Sequence, residues 1–268
     1  MATTAHRELH APVPSDGYVQ SFARGLEVIR SFSADAPEQT LSEVAARSGL
    51  TRAGARRFLL TLQTLAYVEG DGKHYRLTPR ILDLGFAYLT SMPIWNLAEP
   101  VMERLSDALG ESCSAAVLDG SDIVYVMRVH THKIVSLNLN VGTRLPAYCT
   151  SLGRVLLAGL DAPEEKKRLG SSSLSAKTRH TVTDPAEVLA RVQQVRRQGW
   201  ALVNQELEEG LVSAAAPVKN RAGKVVAALN ASWLANRTSA TAMKEQLLPK
   251  LRTAADDVSA LLSRTIRT

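Results

Sequence analysis

Cysteine is nearly missing from this chain, with only Cys113 and Cys149 in 268 residues. Two thiols at that separation offer neither a disulfide framework nor the spacing of a metal site, which suits a reducing compartment. Neither metal nor cofactor is therefore expected. Long apolar runs are missing too. No stretch approaches a transmembrane span, and the opening MATTAHRELHAPVPSDG is polar and proline-containing where a signal peptide would have an apolar core. Residues 1–17 are expected to be a disordered tail on a cytoplasmic protein. There is no Walker loop, no dinucleotide-binding glycine pattern after a strand and no Gly-x-Ser-x-Gly elbow. Cys149 with His130 or His132 could serve as nucleophile and base, but no Asp or Glu is placed by motif to orient a histidine. A lone cysteine of this kind is more often a small buried hydrophobe. The chain is read as a non-enzyme.

Its length suffices for two ordinary domains, and 45% hydrophobic residues with a mean hydropathy of -0.06 mark a globular protein. The net charge of +6 is compatible with a polyanionic partner without identifying one.

Residues 40–77, TLSEVAARSGLTRAGARRFLLTLQTLAYVEGDGKHYRL, are more specific. Thr40 and Glu43 make a Thr-x-x-Glu capping box, so a helix should begin at Leu41. Gly49 stops it, and Thr51 caps a second helix over 52–66. In that helix Ala55, Phe58, Leu59, Leu62, Leu65 and Ala66 recur at helical steps and would pack inward, leaving Arg52, Ala53, Arg56, Arg57 and Gln63 toward solvent. Between Glu43 and Glu69 there are four arginines and no acid. Such a helix suits the major groove, where arginine pairs in bidentate fashion with guanine or clamps phosphates. Residues 67–69 and 74–77 read as the strands of a hairpin whose Lys73, His74 and Arg76 line a wing over the phosphates. Upstream, 18–33 is helical in period, with Val19, Phe22, Leu26 and Ile29 on one side, and supplies the first helix of a three-helix core. A solvated amphipathic helix is the plainer reading of 52–66, and a winged helix that serves as a protein-interaction module is a further alternative. The turn, two caps and hairpin together favour double-stranded DNA.

These residues carry a resemblance. Ser21-Phe22-Ala23-Arg24-Gly25-Leu26-Glu27-Val28-Ile29, then Leu50-Thr51-Arg52 and Arg56-Arg57-Phe58-Leu59-Leu60-Thr61-Leu62, resemble the DNA-binding domain of IclR-type bacterial transcriptional regulators. More narrowly they are similar to the PcaR/PcaU/PobR-like subgroup, which controls catabolism of protocatechuate, 4-hydroxybenzoate and β-ketoadipate. The likeness runs from Tyr18 almost to the end. Gly54 departs from it, standing where alanine is expected; glycine inside a helix costs about 1 kcal/mol.

The expected organisation is α+β: a winged helix-turn-helix over 18–78, a linker helix over 79–92 and an effector-binding domain over 93–268. Thr78 and Pro79 start the linker helix, whose broad apolar surface (Ile81, Leu82, Leu84, Phe86, Leu89) implies a subunit contact. Helices are expected over 95–109, 163–169 and 185–198, the last two opened by capping boxes at Asp161/Glu164 and Asp184/Glu187. Another is expected over 155–160, and the last over 239–264. Strands are expected over 114–118, 122–130, 134–140, 200–206, 211–218 and 225–234. The resemblance implies that this antiparallel or mixed sheet belongs to a GAF-like domain.

Tyr148-Cys149-Thr150-Ser151-Leu152-Gly153-Arg154 places hydroxyls, a glycine and an arginine at a helix start, which either cradles an anion or merely caps the helix. The resemblance implies the former, with Thr150, Ser151, Leu152 and Gly153 at an acid ligand. It also implies contacts from Val203 or Asn204, Ser213, Asn230 and Ser232. Carboxylate and thiol positions of some relatives are replaced here by neutral hydrogen-bonding side chains, which suits an aromatic or longer acid over a small keto acid. Met127, Leu137, Leu139 and Leu145 are candidate walls or ordinary core. The expected protein is a homodimer, or a dimer of dimers, that answers an aromatic or dicarboxylic acid. A regulator of an unrelated catabolic operon is the alternative.

Overall fold

The chain divides into two compact units, Met1–Ser91 and Met92–Thr268. The computed structural model describes residues 16–91, 94–130, 139–236 and 243–265, so the expected tail lies almost wholly outside the described residues.

In the first unit, α1 (Gln20–Arg30) precedes strand β1 (Glu38–Thr40), α2 (Leu41–Arg47) and α3 (Arg52–Thr64). The capping box forms: the Thr40 N–H donates to Glu43 Oε2 at 2.7 Å, and the Glu43 N–H donates to Thr40 Oγ1 at 3.4 Å. Those bonds from Thr40 hold the Glu43 carboxyl below its ordinary pKa. Helix α3 begins where Thr51 caps it, with the Gly54 N–H donating to its hydroxyl at 3.1 Å. It ends at Thr64, not at residue 66. Leu65 is the C-cap and Ala66 turns to φ 60°, while the Tyr67 and Ala66 N–H groups donate back to the Leu62 and Gln63 carbonyls at 2.8 and 2.9 Å. This is a Schellman closure made with alanine where glycine is usual. It leaves Leu65 half exposed and Ala66 exposed, against the expected inward packing.

The wing gains a strand that sequence reading missed. Strands β2 (Val68–Gly70) and β3 (His74–Leu77) form the hairpin, and β1 adds to the outer side of β3, giving the antiparallel order β1-β3-β2. Val28, Val44, Ala45, Ala55, Leu59, Leu62, Val68 and Tyr75 fill the core. The stripe expected on α1 meets that core only through its Ile29 end. Val28 is the residue fully buried, whereas Val19 and Phe22 stay 62% and 69% exposed. A 3₁₀ turn, Pro79–Ile81, capped by Thr78, then leads into α4 (Leu82–Ser91), which buries no residue.

The second unit is a six-stranded antiparallel sheet with helices. After α5 (Ile94–Leu109) come β4 (Ser112–Asp119), β5 (Asp122–Val129), β6 (Arg144–Pro146), α6 (Ser151–Ala158), α7 (Ala162–Gly170), α8 (Pro185–Gln198), β7 (Ala201–Asn204), β8 (Leu211–Lys219) and β9 (Val225–Leu234). A π-helical turn, Met243–Leu247, then leads into α9 (Leu248–Thr265). The strand order is β6-β5-β4-β9-β8-β7. β6 was not foreseen. Of the strand expected over 134–140, only Leu139 and Asn140 are described, and neither is in a strand. The start expected for the last helix, and the wall residue Leu137, also lie outside the described residues. Helix α6 begins at Ser151, four residues before the expected start.

The small residues Ala116, Ala215 and Ala228 form part of the floor on which Leu152, Val155 and Leu156 of α6 pack, with Val192 and Val195 of α8 joining the same cluster. Such a floor lets a helix approach closely. Pro217 sits in β8 without breaking the ladder, because β7 pairs only as far as Ala215 and the missing N–H falls on a free edge. Asp161 and Asp184 cap α7 and α8 as expected, but only one way. The Glu164 and Glu187 carboxylates turn to Arg168 and Arg191, four residues on, instead of back to the cap.

Candidate functional site

Two surfaces carry the chemistry. On α3, Arg52, Ala53, Arg56 and Arg57 are all exposed in the N-terminal half, and among the described residues no arginine of the three is paired with an acid. Thr51, also exposed, spends its hydroxyl oxygen on the cap. Gln63 lies farther along, half-buried, with Nε2 3.5 Å from the Gly70 carbonyl, so it leans on the wing and not on the arginine face.

In the wing the three cations differ. Asp71 Oδ1 accepts the Lys73 and His74 N–H groups at 2.8 and 2.7 Å, which fixes the turn and draws the Asp71 carboxyl below its ordinary pKa. Asp71 Oδ2 also lies 3.8 Å from His74 Nδ1. Arg76 donates through Nε to Glu69 Oε1 at 2.6 Å, and that bond raises its pKa further. Lys73, exposed and without an acid among the described residues, is the wing's freest cation.

In the second unit a cavity of about 570 Å³, part of it open to solvent, lies between the start of α6 and the sheet. Thr150, Ser151, Leu152, Val203, Ser213, Asn230 and Ser232 line it, all of them expected at the site. Ser112, Ser114, Tyr125, Arg128, Leu139, Cys149, Leu207 and Leu211 line it too. Of these only Leu139 had been named as a wall. Met127 and Leu145 stay outside; Leu145 packs against the core cluster.

Strand register assembles the floor. Ser112 lies opposite Ser232, which lies opposite Ser213, which lies opposite Val203. One row over, Arg128 lies opposite Ser114 and Ser114 opposite Asn230. Paired residues share a face, so these side chains converge although they come from five strands. Tyr125 and Arg128 are three apart and would normally face opposite ways. A β-bulge between Ala115 and Ala116 absorbs Val126, so Tyr125 and Arg128 both reach the cavity.

Two expected contacts are displaced. Asn204 faces the other side of β7, in a surface groove with Arg191, Gln194 and Trp200. Gly153 does not line the cavity. A Cβ there would sit 2.2 Å from the Ala147 carbonyl oxygen, so the glycine is required by backbone approach and not by a ligand. Nor does Arg154 serve an anion cradle. It is 3% exposed, donates to Glu206 Oε2 at 2.7 Å and to the Tyr148 carbonyl at 3.0 Å, and forms a buried ion pair. The α6 cap is real: Thr150 Oγ1 accepts the Gly153 N–H at 3.1 Å, and Ser151 Oγ lies 2.8 Å from Ser213 Oγ.

Burial pushes the thiols of Cys149 and Cys113 up to about 11 and about 12 and the Tyr125 phenol up to about 12, so all three are neutral donors near pH 7. A neutral, buried Cys149 lacks the thiolate a nucleophile needs. Among the described residues no group of three His, Cys, Asp or Glu could hold a metal ion. No described helix is long and apolar enough to cross a membrane.

With this geometry in view, two family models match: the IclR helix-turn-helix domain over residues 21–72 and the bacterial transcriptional regulator IclR C-terminal domain over residues 86–260. The chain is 43% identical to the Pca regulon regulatory protein of Pseudomonas putida over 90% of this chain and 83% of that protein. A transcriptional regulator from Rhodococcus sp. RHA1 has a solved structure that superposes with a TM-score of 0.84 at 46% identity, covering 93% of this chain and all (100%) of that one. An IclR homolog from Microbacterium hydrocarbonoxydans, solved in complex with 4-hydroxybenzoate, gives a TM-score of 0.80 at 26% identity, with 91% and 100% covered.

Proposed function

This chain belongs to the IclR family of bacterial transcriptional regulators, and from that premise we propose that it controls genes of aromatic-acid catabolism in response to an aromatic acid. The observation that carries the DNA half is the exposed, acid-free face of Arg52, Arg56 and Arg57 at the start of α3. That face enters the major groove, and Lys73 meets phosphates beside it. The acid binds in the cavity between α6 and the sheet. Support comes from its polar floor of hydroxyls with Arg128 and from two relatives, one named for the Pca regulon and one solved with 4-hydroxybenzoate.

The protein works as a homodimer. Val19 and Phe22 on α1, with Leu82, Leu84, Phe86 and Tyr88 on α4, are large apolar or aromatic side chains that their own unit leaves exposed. A second copy is the partner that removes them from water. The acid acts by binding one arrangement of the dimer more tightly than another.

Gel shifts on the chain's own upstream region, with and without protocatechuate, 4-hydroxybenzoate and β-ketoadipate, test the reading. A specific complex whose affinity changes with one of these acids is expected. No specific complex would sink the DNA half, and an unchanged complex with all three acids would sink the effector half. Sedimentation of Phe86→Glu should shift the dimer toward monomer; an unaltered dimer excludes α4 as the contact.

A further inference from the structure

Two polar groups in the cavity find no match among the described residues, and they make opposite demands. Arg128 is half-buried with no carboxylate in ion-pair range. Its one hydrogen bond runs from Nε to His130 Nδ1 at 3.4 Å. Burial draws its pKa below the ordinary guanidinium value, which marks a charge poorly served by water. Asn230 is 4% exposed; its Nδ2 donates to Ser232 Oγ at 3.2 Å, while Oδ1 has no partner. Guanidinium only donates and a carboxamide oxygen only accepts. An anion answers the first, and only a hydrogen-bond donor answers the second.

Register fixes where these demands lie. Arg128 and Asn230 flank Ser114 on the same row of the sheet, two strands apart and on one face. The start of α6 is less open to a carboxylate, since the Gly153 N–H is already bound to Thr150 Oγ1 and Ser151 Oγ is shared with Ser213.

We infer that the effector is an acid carrying a separate hydroxyl, with its carboxylate on Arg128 and its hydroxyl proton on Asn230 Oδ1. This rests on the reading that the cavity binds an acid effector, and it sharpens which acid. A hydroxylated benzoate meets both demands. Unsubstituted benzoate leaves Asn230 Oδ1 bare, and a second carboxylate sets acceptor against acceptor there. Arg128 and Asn230 thus decide specificity, while the hydroxyls of Ser112, Ser114 and Ser232 adapt to whatever lies between them.

Calorimetry on the full chain tests this with 4-hydroxybenzoate, 4-methoxybenzoate, benzoate, adipate and methyl 4-hydroxybenzoate. The wild-type chain should bind 4-hydroxybenzoate roughly tenfold or more tighter than benzoate, 4-methoxybenzoate or adipate. Arg128→Gln should weaken 4-hydroxybenzoate by a similar factor and leave the neutral methyl ester unchanged. Asn230→Ala should bring 4-hydroxybenzoate down to the level of benzoate. Thermal melts establish that both variants fold, and if one does not, the wild-type series still decides, because 4-methoxybenzoate keeps the ring oxygen but exchanges its proton for a methyl group, while benzoate removes the hydroxyl without adding bulk. Methoxybenzoate or adipate binding as tightly as 4-hydroxybenzoate overturns the assignment and leaves the effector reading standing. Equal loss of acid and ester in Arg128→Gln overturns the role of Arg128. If no acid binds, the effector reading and this assignment fall together.

Discussion

Arginine is used in opposite ways in the two units. On α3, Arg52, Arg56 and Arg57 stand in water with no acid beside them among the described residues, whereas Arg154 of α6 is nearly sealed from solvent against Glu206. An exposed, unpaired guanidinium adds nothing to its own fold and is free to meet a polyanion, so its contribution is binding and depends on salt. A buried, paired one is already spent. Its contribution is position, holding the first turn of α6 to the segment after β7, and removing either partner strands a charge in a poor solvent. Arg128 lies between these extremes, half-buried and unmatched.

The contrast can be broken most visibly at Glu206. Glu206→Gln should cost about 3–5 kcal/mol of stability, read as a lowered melting temperature, because Arg154 is left buried without its counter-charge. A melt within a degree of wild type would mean that the pair contributes nothing. Gly153→Ala should cost about 1–3 kcal/mol, since its Cβ collides with the Ala147 backbone and α6 must shift. The same variant should weaken acid binding, which calorimetry can read.

On the exposed side, Arg56→Ala should leave the melt unchanged and weaken specific DNA binding by about 1–3 kcal/mol if the residue reads a base. Equal loss on unrelated DNA would make it a phosphate contact instead. In the wing, Lys73→Ala should flatten the salt dependence of binding more than Arg76→Ala, because Glu69 already engages Arg76. Ala66→Gly should stabilise the first unit by about 0.5–1 kcal/mol, relieving a positive φ that alanine tolerates poorly. Smallest of all, Cys149 should resist alkylation at pH 8 in the folded chain, its pKa being held near 11, and react at once when the chain is unfolded.

The two units were also unequally legible before folding. Caps, turns and the arginine face of 40–77 are local, and the capping box, the α3 cap and the hairpin lie where propensity put them. The misses there arose from neighbours that come from elsewhere: β1 joins the wing across the chain, and nothing in the period of α1 says that its own unit leaves Val19 and Phe22 uncovered. In the second unit five of the six described strands were readable, and β9 matches its expected limits, but β6 was not foreseen. The cavity was readable only in part. Ser112 and Ser114 alternate on one strand face as Asn230 and Ser232 do, a polar alternation that could have marked them. Arg128 could not be found by alternation, because the bulge resets the phase. Gly153 and Arg154 were misassigned since a helix start suggests an anion, whereas their partners, the Ala147 backbone and Glu206, appear only once the chain has folded.

That bulge has a consequence for how the binding site can drift. On a regular strand a residue's face is set by parity, and a new side chain must be substituted into place. At Val126 the face is set by a count. Inserting one residue into β4 between Ala115 and Ala116 would give Val126 a partner, restore strict alternation and turn Tyr125 and Arg128 to opposite faces without changing either of them. The one arginine among the described residues that line the cavity is therefore kept beside Tyr125 by a residue count in the neighbouring strand, and a lineage could part the two through a single codon's gain in a stretch where no ligand contact had mutated.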